Sequence, residues 1–137
     1  MSYSSERIPT ILLLEKDDET RRLLIENLRD RNYRVLAAID EENAIEWLVN
    51  NQEIRPNLLV INQAKMSLED CLKIIQRIDE KTGLSPKIPT IIIAEQYSPA
   101  LEGTEARIDD NRYIIYLEDA QQLFALVARL CLRINTN

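Results

Sequence analysis

Short aliphatic runs alternate with segments of helical period along this chain, and the alternation repeats five times. The run TILLL at Thr10–Leu14 is continuous, apolar and ended by charges, the pattern of a strand buried on both faces. Asp17 or Asp18 can cap the helix that follows, where Leu24 and Leu28 share an inner face and Leu23 and Ile25 lie at its flanks. Residues 33–38 (YRVLAA) form a second, less regular strand. Asp40 caps a helix whose apolar stripe is Ala44, Ile45, Leu48 and Val49, with Trp47 off the stripe and part-exposed. Pro56 opens a third strand over 58–61 (LLVI). Ser67 with Asp70 spells a capping box for a helix that turns Leu68, Cys71, Leu72 and Ile75 inward and stops at Gly83. Residues 89–94 (PTIIIA) are β-branched, as a central strand should be. Pro99 and Gly103 interrupt 95–110, which predicts a short or distorted fourth helix. Residues 113–117 (YIIYL) form the fifth strand. Asp119 with Gln122 caps a last helix bearing Leu123, Val127, Leu130 and Ile134, and 135–137 form a frayed tail.

Five strand–helix units in 137 residues predict an α/β fold with a parallel sheet wrapped on both faces by right-handed crossovers. No linker or repeat divides the chain. The expectation is one domain over 1–137, its core about 9–134, with no separate output domain.

Composition narrows the function. Forty-five per cent of residues are hydrophobic and 29 per cent charged, a globular balance, and no apolar run approaches bilayer length. The polar first nine residues lack the apolar core of a secretory signal. A cytoplasmic protein with no membrane association is expected. A net charge of −6 repels a phosphate backbone, so no nucleic-acid partner is expected. Arg21, Arg22, Arg29, Arg31 and Arg34 are interleaved with acids and read as a solvated face. Cys71 and Cys131 lie far apart inside apolar segments, as small core residues of a reducing compartment.

The chain has no histidine, which removes the commonest acid/base group and metal ligand. Two glycines cannot write a P-loop or a dinucleotide fingerprint. Neither a cofactor nor a metal is expected, nor enzymatic activity.

In an open parallel sheet, ligands bind beyond the carboxyl ends of the strands. The residues there are Glu15, Lys16, Asp17 and Asp18 after the first strand, Asn62 after the third, Ala94 after the fourth and Tyr116 near the end of the fifth. With these positions marked, ILLLEKDDETRRLL, PNLLVINQAKMS, IPTIIIA and YIIYLEDAQQL together resemble the receiver domain of two-component response regulators, the CheY-like family, over nearly the whole length. The resemblance implies the flavodoxin-like (βα)5 fold with strand order 2-1-3-4-5.

It also implies where phosphotransfer chemistry would sit, and that pocket is degenerate. Asn62 stands at the position of the phosphoacceptor aspartate, and an amide is too poor a nucleophile to form an acyl phosphate. Glu15 matches the first metal-binding acid, but Lys16 replaces the second, where magnesium wants carboxylate oxygen. Lys16 is expected to take roughly the cation's place, pairing with Glu15 and approaching Asn62. Ala94 lacks the hydroxyl and Tyr116 the positive charge that would hold a phosphoryl group. Leu117, Met66 and Asp70 also depart from the family pattern. Asp17 and Asp18 are residual acids, one of them accounted for by capping.

Tyr113 matches an aromatic that turns inward in many receivers, or is an ordinary core-edge side chain. By resemblance, the partner face is that of the fourth helix, fifth strand and fifth helix, here carrying Tyr97, Arg107, Arg112 and Tyr113, and a homodimer would use the same face. The expected function is a stand-alone pseudo-receiver in signal transduction that binds a protein partner independently of aspartyl phosphorylation. The rivals are a small-ligand sensor and a regulator phosphorylated at a non-standard acid such as Asp17.

Overall fold

The computed structural model describes residues 8–83 and 88–135, without the side chains of 133–135. Along the chain run β1 (Thr10–Leu14), α1 (Asp18–Asp30), β2 (Arg34–Ala38), α2 (Glu41–Asn50), β3 (Leu58–Asn62), α3 (Leu68–Thr82), β4 (Thr90–Ile93), a 3-10 turn (Pro99–Leu101), β5 (Glu105–Arg107), β6 (Arg112–Ile115) and α4 (Ala120–Asn135). The sheet order is β2-β1-β3-β4-β6-β5, parallel throughout except for the β5–β6 pair. The flavodoxin-like order is therefore the one expected, with β6 as the fifth parallel strand and β5 added at its edge.

Alternation along the buried strands divides the core into two layers. Ile11, Leu13, Val60, Ile91 and Ile115 pack with Leu28 of α1 and with Leu123, Val127 and Leu130 of α4. Leu12, Leu14, Ile61 and Ile92 pack with Ala44 and Leu48 of α2 and with Cys71, Ile75 and Ile78 of α3. Each helix supplies one stripe because its apolar residues recur every three or four positions.

The capping signals place the helix starts. Asp17, Asp40 and Ser67 each accept a hydrogen bond from the backbone N–H three residues on. Asp119 accepts from Gln121 and Gln122, while Gln122 Oε1 accepts from the Glu118 N–H. Gly83 stops α3 at φ 70°, the left-handed conformation that favours glycine.

Two expectations are corrected. Val49 is 44 per cent exposed and lies outside the inner stripe of α2, because Ala44 and Leu48 already fill the space over the sheet. The fourth helix is as short as expected, a 3-10 turn of three residues, but the five-stranded sheet gains a sixth strand where the chain returns as β5 against β6. Asp109 makes that reversal: its Oδ1 accepts from the N–H groups of Asn111 and Arg112, both at 3.0 Å. The Ile134 position lies in α4, but its side chain falls outside the described residues.

Candidate functional site

Strand register brings the marked residues to one level. Leu14 pairs with Ala38 and Ile61, Asn62 with Ile93, and Ile93 with Ile115. Glu15, Asn62 and Ala94 thus meet at the carboxyl edge of the sheet and line a cleft of about 820 Å³. Lys16, Asp17 and Glu95 add charge to its wall, and Leu24, Leu117 and Leu123 make its apolar side.

Asn62 has both ends of its amide engaged. Its Nδ2 donates to Glu15 Oε1 at 2.7 Å, and its Oδ1 accepts from the Ala64 N–H at 2.9 Å. The second bond closes an Asx-type turn and holds Ala64 at φ 52°, a conformation costing roughly 1–2 kcal/mol for a residue with a Cβ. Glu15 is 3 per cent exposed, and its Oε2 accepts from the Asp17 N–H at 3.1 Å. Arg21 Nη1 donates to the Glu15 backbone carbonyl at 3.0 Å and so braces the β1–α1 turn.

The carboxylate and the amide therefore satisfy one another. A neutral donor suits this arrangement, because a second carboxylate at that separation would raise the energy of the charged pair.

The expected placement of Lys16 is corrected. Lys16 lines the cleft wall but is exposed, and among the described residues it forms no ion pair with Glu15. The Asn62 amide takes the Glu15 oxygen that Lys16 was expected to approach, at no cost of burying an ammonium.

Asp17 reaches the cleft, but its carboxylate caps α1. The backbone bond from Thr20 holds it below its ordinary range, with a further lowering through the Thr20 side chain and Arg21. Asp18 is exposed and pairs with Arg21 instead. These residues do not fit a magnesium shell. Both Glu15 oxygens and the Asn62 oxygen already accept protein hydrogens, and Lys16 brings an ammonium to the cleft wall, which repels a cation. Among the described residues, no three His, Cys, Asp or Glu side chains gather to hold a metal ion.

Ala94 is buried at the cleft floor and has no hydroxyl to present. Tyr116 does not line the cleft. Its ring meets Tyr97 edge-on, centroids 5.3 Å apart, on the α2–α3 side of the sheet. The Tyr97 hydroxyl in turn donates to the Leu117 carbonyl, which ties the loop after β4 to the loop before α4.

The predicted partner face is brought together only in part. Tyr113 is buried in the core with Ile115 and Leu123, so it offers no surface. Arg107 is exposed and reaches the Asp109 and Asp110 carbonyls, while Arg112 lies 3.6 Å from Asp109. Both arginines close the β5–β6 reversal. Among the described residues no α-helix lies between β4 and β6, and β5 covers the edge of β6. Ala64 and Arg21 are site residues the sequence reading missed, and the Asn-Gln-Ala turn was the legible signal for the first; Leu117, noted there only as a departure from the family pattern, lines the apolar side of the cleft.

No family model matches the chain, and no curated protein sequence matches it. Solved structures do. The response regulator from Thermotoga maritima superposes with a TM-score of 0.64 at 17% identity, covering 90% of this chain and 98% of that one. The receiver domain of the hybrid histidine kinase CckA gives 0.59 at 21% identity, with 89% and 98% covered. The NMR structure of the pseudo-receiver domain of the CikA protein gives 0.57 at 21% identity, with 90% and 97% covered. At these identities the likeness establishes a shared receiver-type fold. Among the described residues, no helix is long and apolar enough to cross a membrane.

Proposed function

We propose that this chain is a response-regulator-like pseudo-receiver, a cytoplasmic signalling module that binds a protein partner without aspartyl phosphorylation and without enzymatic activity. One observation carries the reading. Asn62 Nδ2 donates to the buried Glu15 carboxylate where a phosphoacceptor and its metal would need two acids. An amide is neutral at all ordinary pH and cannot attack phosphorus to give an acyl phosphate. Ala94 and Tyr116 remove the hydroxyl and the cation that would stabilise transferred charge, and Tyr116 lies outside the cleft.

Phosphorylation at Asp17 is disfavoured by the same geometry, since a cap carboxylate would have to release the Thr20 N–H to react. A small-ligand sensor is the second reading. It rests on the cleft volume, about 820 Å³, which lies within the range of pockets for small molecules. Thermal shift against a metabolite panel favours it if one compound raises the melting temperature in wild type but not in a Leu117→Arg variant.

The decisive experiment is incubation with acetyl phosphate and magnesium followed by intact mass. The pseudo-receiver reading expects no phosphoryl adduct, and partners captured from native lysate should be the same with and without the phosphodonor. A single stoichiometric adduct overturns it.

A further inference from the structure

Among the described residues, the short strand β5 is one of the two edges of the sheet, the other being β2, and it carries a charge pattern that suits pairing with itself. Its three residues, Glu105, Ala106 and Arg107, are all exposed. The Tyr116 N–H donates to the Thr104 carbonyl and the Ile108 N–H to the Arg112 carbonyl. Antiparallel bonding alternates, so Ala106 is the residue that bonds inward to β6, opposite Ile114. Glu105 and Arg107 consequently turn their N–H and C=O groups outward, to the free edge.

An exposed edge is a template for another strand, and charged side chains normally protect against random pairing. Here the two charges have opposite sign and stand two residues apart. Consider two copies meeting antiparallel around a two-fold axis at Ala106. Glu105 of each then lies opposite Arg107 of the other, both with outward backbone groups, and both ion pairs fall on one face. Shifting the register by two residues in one direction sets Glu105 against Glu105. The opposite shift sets Arg107 against Arg107 and Glu105 against Asp109. Shifts by one residue turn the backbone groups out of phase. Only the register centred on Ala106 satisfies both backbone and charge.

The surroundings agree. Arg129 of α4 reaches Glu105 at 2.6 Å, and Gln122 Nε2 donates to the Thr104 carbonyl at 3.1 Å, so one side of α4 runs along this edge. Leu132, one turn beyond Arg129, is 64 per cent exposed. A two-fold perpendicular to the sheet would place the two α4 helices on the same face, with that leucine near the junction. Among the described residues, the Arg107 side chain is held by exposed contacts within its own turn, including Asp110 at 3.6 Å, which a facing carboxylate can replace.

We infer that the occupant of this edge is a second copy of the chain, joined β5 to β5 into a continuous sheet through reciprocal Glu105–Arg107 pairs. This goes beyond the proposed partner binding, and uses a strand that the five-stranded expectation lacks.

Sedimentation velocity of the full chain over a concentration series tests it. Wild type should self-associate, and added salt should weaken it, because the pairs are exposed. Arg107→Glu and Glu105→Arg should each weaken homodimers by about tenfold or more, since each sets like charges opposite. An equimolar mixture of the two variants should associate as tightly as wild type, because the paired arginines of one variant then face the paired glutamates of the other. In wild type, amide exchange at Glu105 and Arg107 should slow as concentration rises, while exchange at Ala106 should not change. The exchange measurement stands even if Glu105→Arg, which also loses the contact with Arg129, fails to fold. The inference is overturned by a wild type that stays monomeric to about 1 mM, by variants that associate like wild type, by a mixture no tighter than its components, or by exchange independent of concentration.

Discussion

Asn62 Nδ2 lies 2.7 Å from Glu15 Oε1, so a carboxylate that is almost wholly buried is met by a neutral amide from the neighbouring strand. The Asp17 N–H occupies the other oxygen and the Ala64 N–H occupies the amide's own oxygen. The result is a closed hydrogen-bond chain that links the β1–α1 turn to the β3–α3 loop. That chain sets the behaviour expected of the site.

Replacing Asn62 by Asp places a second carboxylate against Glu15. The variant should lose about 1–3 kcal/mol at neutral pH, as one hydrogen bond is replaced by repulsion. The sign of its pH dependence follows. The repulsion exists only while both carboxyls are ionised, so the penalty is full at neutral pH and is relieved as the pair takes up a proton in acid. Urea unfolding at several pH values checks this: a deficit for Asn62→Asp that did not shrink in acid would contradict the geometry.

Glu15→Leu should be more costly than Glu15→Gln. Leucine leaves the Asn62 amide and the Asp17 N–H without an acceptor, a loss of about 2 kcal/mol or more, whereas glutamine keeps one acceptor. Chemical denaturation midpoints at constant slope give the comparison.

Tyr97 and Tyr116 should be coupled. A double-mutant cycle of Tyr97→Leu and Tyr116→Leu is expected to return about 1 kcal/mol of interaction from the edge-on ring pair. Tyr97→Phe keeps the rings but removes the donor to Leu117, and should cost about 1 kcal/mol by itself.

Arg77 grips the Glu41 carboxylate through two bonds, at 2.6 and 2.8 Å, and joins α3 to α2. The Arg77 hydrogen bonds hold the Glu41 carboxyl below its ordinary value of 4.5. A depressed folded pKa contributes stability above the unfolded value and loses it as pH falls through the folded one. Wild type should therefore exceed Glu41→Gln slightly at neutral pH, and thermal melts should converge in acid.

Burial pushes the Cys131 thiol up to about 11 and raises Cys71 as well. Both should resist alkylation at about pH 8, reacting at least about a hundredfold more slowly than in denaturant. Native mass spectrometry after iodoacetamide reads this directly.

Much of this was legible in the chain itself. The strand cores from Thr10, Leu58 and Thr90 are continuous aliphatic runs, because a parallel strand covered on both faces has no solvent side to mark. Asp17, Asp40, Ser67 and Asp119 marked helix starts, because orphan N–H groups need a short acceptor wherever the helix lies. The strand β5 was not legible. All three of its residues are exposed, so no apolar alternation announces it, and backbone bonds to β6 define it.

The local pattern by itself determined the parallel α/β architecture and which residues stand at the carboxyl ends of the strands, because burial and capping act over neighbouring positions. Tertiary structure alone decided what those residues do to one another. It gave Glu15 to Asn62 and left Lys16 in solvent, and it turned Tyr116 from the cleft and laid β5 along the open edge. A hydrogen bond between residues 47 positions apart depends on strand register, which the whole packed sheet sets and no single segment can encode.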